Sequence, residues 1–293
     1  MKDLRIKIFA RSFDLKLYRL SKGLYESWGF PCVRLTDQTA DGYFYTMLKD
    51  TDCDIAINVD EDCFITSKEA VMRLVEYVVE NGIANAGCPD GGNNTRGRNP
   101  IVTNPFFNVF NLNLIREKFS KAAVRDFQYE LYMDEMQQNY PTEMLYEGFK
   151  YDFAEAGYEP YYPFFLWLAH NVKTLYLHNI KHADGKTTIL LNHLGQEMCR
   201  HTWLARFYAV PDFVVRHWQP NDGKQKQRID NVINEAYQMT GIPRPIFGWK
   251  DECAFVGNKI IRWMIKVPQR VTGWPRKIKR KFCKYSHLLE LEE

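Results

Sequence analysis

Two carboxylates that follow a short apolar run are the residues of this sequence best suited to chemistry. The run Asp54–Val59 reads Asp-Ile-Ala-Ile-Asn-Val and leads directly into Asp60-Glu61-Asp62. Because side chains alternate between the two faces of a strand, Asp60 and Asp62 are expected to point one way and Glu61 the other. Neighbouring carboxylates repel each other unless a cation lies between them. The pattern therefore favours a Mg²⁺ or Mn²⁺ site over a solvated acidic turn, since both ions prefer such oxygen ligands.

Histidines that could complete a metal site are concentrated late in the chain. Four of the seven His lie within one short segment, namely His178, His182, His193 and His201. His201 precedes an apolar, Arg-containing stretch, so we expect it at a turn that a cleft could reach. We favour His201 as the third ligand over its rival His193. An imidazole ligand would shift the preference from Mg²⁺ toward Mn²⁺.

The elements that must position these groups alternate between strands and helices. The predicted strands are Leu4–Ala10, Cys32–Leu35, Asp54–Val59 and Ile83–Cys88, and the predicted helices are Asp14–Trp28, Thr39–Lys49 and one capped by Ser67 that ends at Asn81-Gly82. This order predicts an α/β fold with a mostly parallel central sheet flanked by helices. Ligands of such sheets bind beyond the carboxyl ends of the strands, where the strand order reverses. Asp60, Arg11 and Asp37 each follow or end such a strand.

Beyond residue 88 the alternation is less regular. Pro89–Pro100 is a long polar loop that carries Arg96 and Arg98, which could clamp an anion but are more simply solvated. The remaining predicted elements are an Asn-rich buried strand at Val102–Asn113, a helix near Lys121–Gln138, an aromatic block at Tyr158–Trp167, a strand at Thr174–Leu177 and a polar helix over residues 224–240.

Composition and charge narrow the class of protein. The sequence starts without a signal-peptide pattern and contains no run of eighteen apolar residues, and its seven Cys are scattered without a C-x-x-C pair. These features predict a cytoplasmic protein with reduced thiols. Ten of the 39 Lys and Arg lie in residues 254–289, which contain no Asp or Glu. The chain therefore combines a mildly acidic body with a strongly basic tail.

Taken together, the Asp-x-Asp at the end of the third strand, the Asn-rich strand Asn104–Asn111 and the late His-rich segment resemble nucleotide-sugar glycosyltransferases of the GT-A fold. The resemblance implies a Rossmann-like catalytic domain over residues 1–250. Within it, residues 1–115 would bind the nucleotide sugar and residues 116–250 the acceptor, followed by a basic amphipathic extension at 251–293. It implies a divalent metal on Asp60 and Asp62, bridging a nucleoside diphosphate, with a later His completing the coordination. The positions that hold the nucleobase and ribose correspond to Ala10, Arg11, Phe13 and Asp37.

A transfer that inverts the anomeric centre also needs a carboxylate base for the acceptor hydroxyl. Asp152, Glu155 and Glu159 are the candidates, because they precede Pro160–Trp167, whose aromatic rings could face a sugar or belong to the core. A retaining enzyme would need no such base, so the stereochemistry stays open. In either case the metal would neutralise the charge that grows on the leaving diphosphate.

The basic tail predicts a partner of its own. Residues 259–284 mix ten cations with Trp, Ile and Val, a composition suited to lying on an anionic membrane face. Nucleic acid is the other polyanion to consider, but the acidic body and the lack of a nucleic-acid-binding motif argue against it. A solvated C-terminal segment is the simpler alternative.

The sequence therefore predicts a metal-dependent glycosyltransferase that moves a sugar, of hexosyl type, from a nucleoside diphosphate to a glycan or lipid-linked acceptor. Bacterial surface polysaccharide synthesis, peripheral to the inner face of the membrane, is the expected context. Two alternatives stay open. One is a phosphatase of the haloacid-dehalogenase type with Asp60 as nucleophile, although its motif normally follows the first strand. The other is a protein that binds a nucleotide sugar without turning it over.

Overall fold

The computed structural model describes residues 4–36, 42–91, 98–147, 149, 151–154, 159–203, 205, 208 and 223–271, with side chains in the last range described from 225 to 261. Over these ranges the protein is a mixed α/β structure with two sheets. Helices flank the larger sheet, as the alternation of elements predicts.

The larger sheet is formed by β1 (Ile6–Arg11), β2 (Cys32–Leu35), β3 (Ile55–Val59), β5 (Asn85–Pro89), β6 (Thr103–Asn111) and β7 (Thr174–Tyr176). Its strand order is β2-β1-β3-β6-β5-β7. β1 pairs in parallel with β2 and β3, and β5 with β7, whereas β6 is antiparallel to both neighbours. β1, β2, β3 and β5 therefore end at the same edge, which we call the carboxyl edge. The predicted mostly parallel sheet is confirmed, with β6 as the strand that runs the other way.

Polar side chains inside this sheet form hydrogen bonds within and between β3, β5 and β6. Asn108 on β6 is opposite both Asn58 and Gly87. Its amide nitrogen lies 3.1 Å from Thr103 Oγ1 and 3.4 Å from Asn85 Oδ1. A Cβ on Gly87 would lie only 2.2 Å from that nitrogen, so this position excludes any side chain. The amide nitrogens of Asn58 and Asn108 thus donate within the sheet, to the Pro105 carbonyl and to Thr103 and Asn85.

Three helices cover the first strands and begin where local sequence signals place them. α1 (Leu15–Lys22) is capped by Asp14, whose carboxylate accepts from Leu17 N, and α3 (Lys68–Glu80) is capped by Ser67. Such side chains satisfy amides that the first helical turn leaves unpaired. α1 is shorter than predicted because the chain continues in a 3₁₀ helix at Glu26–Trp28. The third helix, α2, spans Gly42–Lys49.

A second sheet, absent from the sequence prediction, starts directly after the acidic triplet. It comprises β4 (Cys63–Ile65), β8 (Asn179–Lys181), β9 (Thr188–Leu191) and β10 (Glu197–His201), in the order β4-β10-β9-β8 with antiparallel pairing throughout. In its register His201 lies opposite Cys63. The late His-rich segment is therefore brought back to the end of β3. His201 itself is the last residue of a strand, not part of a turn before a helix.

The middle of the chain is more fragmented than predicted. The expected helix Lys121–Gln138 is divided into α5 (Lys121–Arg125), a 3₁₀ helix at Tyr129–Tyr132 and α6 (Met133–Gln138), after the short α4 (Leu112–Arg116). The buried apolar side chains of these short pieces pack on the same core cluster, which includes Val124 and Met136.

The aromatic block forms core. α7 spans Tyr162–Asn171, and the block's side chains Tyr161, Tyr162, Phe164, Phe165 and Trp167 are all buried. Phe164 stacks on Phe44 at 5.2 Å, and Phe165 meets the same ring edge to face. Of the two interpretations of Pro160–Trp167, the structure supports core packing for the buried aromatics.

Two long helices end the described chain, α8 (Gly223–Thr240) and α9 (Trp249–Val271). The start of α9 packs on α1, because Phe255 is buried and Glu252 lies 2.6 Å from Lys16 Nζ. A division of the chain at residue 250 therefore cuts the first turn of α9. The backbone of this helix also continues through Pro268. No described helix is both long and apolar enough to cross a bilayer.

Candidate functional site

The strand order reverses between β1 and β3, a position at which a ligand site is expected. The chain leaves β1 for β2 on one side and later returns to β3 on the other side, so adjacent crossovers diverge at this point. Open α/β sheets bind ligands in the crevice that such a reversal leaves at the carboxyl edge. β1 ends at Arg11 and β3 at Val59, which brings Arg11 Nη2 to 3.1 Å from Asp60 Oδ2. Charged groups therefore line this crevice.

Arg11 and Asp60 are both largely buried, with 18% and 14% of their side chains exposed. Burial raises the pKa of Asp60, the Arg11 guanidinium opposes that shift, and the nearby Asp62 carboxylate reinforces it. The guanidinium also lies 5.2 Å from the Tyr43 ring and 5.5 Å from the Phe13 ring. Arg11 is thus held over the acidic pair by one carboxylate and two aromatic faces.

Asp62 is paired with His201 from the second sheet. His201 Nε2 lies 3.2 Å from Asp62 Oδ1, and the Thr202 amide donates to the Asp62 carbonyl at 3.0 Å. Burial alone would raise the pKa of Asp62, but the imidazole outweighs it, and the pKa of Asp62 is lowered. The β4–β10 pairing is what positions this contact, so the site depends on both sheets.

The His201 ring is clamped between two aromatic side chains. It stacks on Phe106 at 4.2 Å with an interplanar angle of 11°, and Trp203 lies 4.3 Å away on a tilted plane. Its Nδ1 is buried and has no hydrogen-bond partner among the described residues. The two rings thus fix the orientation of the imidazole, with Nε2 directed at Asp62.

Trp203 has an unusual backbone conformation, with φ at 55°. Non-glycine residues rarely adopt this region, and a bulky one does so at a cost of about 1–3 kcal/mol. The surroundings hold it there. Arg228 Nη2 donates to the Thr202 and Trp203 carbonyls at 2.6 and 3.2 Å, and the indole nitrogen donates to Thr188 Oγ1 at 2.8 Å. The strained turn keeps the indole against His201.

Glu61, the middle residue of the triplet, anchors the loop after β1. Its Oε2 accepts from Ser12 Oγ at 2.9 Å and from the amides of Phe13 and Asp14 at 2.7 Å each. Burial raises the pKa of Glu61 to about 8, and the hydrogen bond from the Asp14 backbone opposes that rise. Glu61 therefore fixes the loop that presents Arg11 and Phe13, rather than facing the crevice with its neighbours.

The donor chemistry of this site fits a divalent cation. Asp60, Asp62 and His201 offer two carboxylates and an imidazole, a set that suits Mn²⁺ or Mg²⁺. The described side chains do not already converge as a group of three ligands. Each carboxylate is instead paired with a protein side chain, Asp60 with the Arg11 guanidinium and Asp62 with the His201 imidazole. A bound ion would have to share or replace those contacts, so cation and protein compete for the same oxygens.

The described residues that were predicted to bind the nucleotide lie around this crevice and differ in their solvent exposure. Ala10 is buried on β1, so it can offer backbone rather than side chain. Phe13 is 39% exposed and lies beside Arg11. Asp37 lies outside the described residues.

Two of the predicted base residues, Asp152 and Glu159, lie around Arg98. The Asp152 amide donates to the Arg98 carbonyl at 2.6 Å, and Glu159 Oε1 lies 3.9 Å from Arg98 Nη2. Asp152 is exposed and Glu159 is half-buried. Glu155 and Arg96 lie outside the described residues. Asp152, through its backbone, and Glu159, through its carboxylate, thus lie near one buried arginine.

One carboxylate at the carboxyl edge escaped the sequence analysis. Asp90 follows β5 and is buried, and its Oδ2 accepts from Tyr161 Oη at 3.1 Å and Tyr162 Oη at 2.9 Å. Its Oδ1 accepts from Asn104 Nδ2 at 2.7 Å. The available signal was an acid directly after a predicted strand, the same signal that singled out Asp60. Its bonds tie β5, β6 and the start of α7 together.

The other histidines of the late segment have partners away from the triplet. His193 stacks on Tyr77 at 4.0 Å. His182 Nε2 lies 3.0 Å from Glu235, and His178 contacts Tyr146. Of the four candidates, His201 is the one that pairs with the predicted metal ligands.

Comparison with known proteins gives partial structural likenesses. No family model and no curated protein matches the sequence. Among solved structures, the chain is similar to A197 from STIV, with 15% identity over 41% of this chain and 71% of that chain and a TM-score of 0.34. It is also similar to a glycosyltransferase involved in glycosylation of the major capsid of PBCV-1, with 13% identity over 50% of this chain and 79% of that chain and a TM-score of 0.28. Similarity at this level establishes neither a shared family nor a shared function.

Proposed function

We propose that this protein is a metal-dependent glycosyltransferase that uses a nucleoside-diphosphate sugar. The observation that carries the proposal is the position of Asp60 and Asp62, buried at the β1/β3 reversal with His201 beside them. Burying two neighbouring carboxylates whose charge is only partly neutralised by the protein costs free energy, and a bound cation would offset that cost. Diphosphate oxygens are the natural partners of a Mg²⁺ or Mn²⁺ ion held by few protein ligands.

In this proposal Asp60, Asp62 and His201 hold the ion. When bound, the ion supplies Lewis-acid neutralisation of the diphosphate as it leaves. Arg11 lies close enough to share its guanidinium between Asp60 and a phosphate oxygen, as bidentate arginine contacts allow. In this proposal the exposed Phe13 ring would stack on a base, and the Ala10 backbone would approach the ribose.

The transfer breaks the bond between the anomeric carbon and a phosphate oxygen, and the electron pair leaves with the nucleoside diphosphate. The acceptor hydroxyl oxygen forms the new bond, and its proton would pass to a carboxylate base if the centre inverts, or to an oxygen of the departing diphosphate if the configuration is retained. Asp152, Glu155 and Glu159 remain the proposed bases. The acceptor is proposed to be a glycan or lipid-linked sugar, with bacterial polysaccharide assembly as the expected context.

A turnover assay with a panel of UDP- and GDP-sugars tests this function. Release of nucleoside diphosphate with Mn²⁺, which stops in an Asp60→Asn/Asp62→Asn variant, is the expected result. Tight nucleotide binding without turnover, with every acceptor class tried, would instead identify a binding protein. Metal-dependent hydrolysis of simple phosphate esters through Asp60 would identify a phosphatase.

A further inference from the structure

We propose that helix α9 and the turn before it form an interfacial surface that docks on an anionic lipid bilayer. The inference does not depend on the proposed glycosyl transfer. It rests on three observations: α9 has an exposed apolar face, the acidic residues of its first turn point away from that face, and the sequence that follows is strongly basic.

The apolar face of α9 consists of Trp249, Val256 and Ile260, with Ile246 immediately before the helix. Their exposed fractions are 74%, 54%, 52% and 97%. The spacing of seven and four residues places Trp249, Val256 and Ile260 on one side of the helix. Large apolar side chains this exposed and this close together mark a surface that another phase or molecule covers.

The opposite side of α9 holds the helix to the protein. Phe255 is buried, with its ring 4.9 Å from Phe247. Asp251 pairs with Arg19, and Glu252 Oε1 lies 2.6 Å from Lys16 Nζ. The two acidic residues of the first turn therefore face α1, and their negative charge is neutralised there. The outward side of the helix is left apolar.

Charge identifies the partner as an anionic surface. Lys250 and Lys259 are exposed on α9. Residues 254–289 carry ten Lys and Arg and no Asp or Glu. A helix with one apolar side, Trp among its apolar residues and adjacent cations lies in the plane of a membrane interface, attracted by acidic headgroups. In the sequence the apolar spacing of α9 continues at Trp263, Val267 and Val271.

Vesicle co-sedimentation of the full chain tests this surface. Phosphatidylcholine vesicles with phosphatidylglycerol should bind the protein, and binding should fall as salt rises because Lys and Arg contacts are screened. Pure phosphatidylcholine should bind far less. In Trp249→Glu/Val256→Glu/Ile260→Glu the partition coefficient should drop at least about tenfold, since three buried apolar side chains are replaced by repelled carboxylates.

A matched control separates this face from general surface hydrophobicity. Leu131 and Leu194 are 72% and 56% exposed elsewhere on the protein. Leu131→Glu/Leu194→Glu should therefore bind vesicles as the wild type does. Trp fluorescence should also be quenched by lipids brominated on the acyl chain, and less so in Trp249→Phe.

Three results would overturn the proposal. They are no binding to phosphatidylglycerol vesicles at low salt, equal binding by the triple variant and the control, and a dimer that the triple variant abolishes in the absence of vesicle binding. The last would assign the face to a second copy of the chain. Circular dichroism of both variants shows whether they fold, and the quenching difference between wild type and Trp249→Phe tests the idea without the triple variant.

Discussion

His201 Nε2 lies 3.2 Å from Asp62 Oδ1, although the two residues come from distant parts of the chain. Asp62 lies between the end of β3 and the start of β4, and His201 is the last residue of β10 in the second sheet. The pairing of β4 with β10 brings the two side chains together. The geometry of the site therefore depends on this contact and on the Arg11–Asp60 pair beside it.

The first prediction concerns the choice of His201 as a ligand. His201→Gln should weaken Mn²⁺-dependent nucleotide binding by at least about tenfold, because it removes an imidazole oriented by Asp62. His193→Gln is the matched control, since His193 stacks on Tyr77 away from the triplet. Calorimetric titration of Mn²⁺ and nucleotide measures both. Equal affinity in the two variants would remove His201 from the site.

Glu61 is predicted to act through the loop and not through the metal. Glu61→Ala leaves two amides and a hydroxyl without their common acceptor, and we expect a loss of about 2–4 kcal/mol of unfolding free energy. Glu61→Gln keeps an oxygen at the same place and should lose about 1 kcal/mol or less. Urea unfolding compares them. A Gln variant as unstable as the Ala variant would contradict the hydrogen-bonding role.

The positive φ of Trp203 predicts that a glycine variant is more stable than an alanine variant, the reverse of the usual order of these two residues. Both Trp203→Ala and Trp203→Gly lose the indole contacts with His201 and Thr188. Gly tolerates the positive φ that Ala does not, so Trp203→Gly should be the more stable of the two by about 1 kcal/mol. Thermal or urea unfolding decides the order. An Ala variant equal to or more stable than Gly would show that this φ is not retained.

Stability at low pH should depend on Asp184, which supports Arg228 and through it the Trp203 turn. Burial alone would raise the pKa of Asp184, but hydrogen bonds from Thr187, from Lys186 N and from Arg228 hold that pKa below its usual range. Because the unfolded chain binds the Asp184 proton more tightly than the folded protein does, the Asp184 carboxylate stabilises the fold above about pH 4. This stabilisation is lost as the pH falls further.

Asp184→Asn should therefore lower the free energy of unfolding at pH 7, by on the order of 1–3 kcal/mol, and flatten its decline on acidification. Asp126→Asn is the control, because Asp126 is exposed and its ion pair with Arg125 contributes little. Unfolding by urea between pH 3 and pH 7 measures both, at about one-unit steps. A wild-type slope that Asp184→Asn leaves unchanged would contradict the assignment.

Local signals in the sequence anticipated the elements around the acidic pair. The alternation of strands and helices up to residue 88, the Ser67 cap and the exit of Asp60 from a buried strand all follow from periodicity and capping. The antiparallel direction of β6 could not be predicted from these signals, because an apolar run looks the same in either orientation. β4 was missed because three residues carry too little periodicity.

Non-local pairing explains the remaining differences at the site. Nothing in the local sequence says that His201 ends a strand opposite Cys63, since strand partners far apart in the chain are chosen by tertiary packing. The aromatic residues before Trp167 fit a sugar surface or a core equally well by composition. Burial against Phe44 and Phe110 placed Phe165 in the core.

The most direct test of the account is calorimetric titration of UDP and GDP into the wild type and Asp60→Asn/Asp62→Asn, with and without Mn²⁺. The account predicts nucleotide binding that requires Mn²⁺ in the wild type and is lost in the double variant, whose carboxamides no longer neutralise the ion. Binding of either nucleotide that is equally strong without Mn²⁺, or that survives in the double variant, would contradict it. So would the absence of binding to both nucleotides when Mn²⁺ is present.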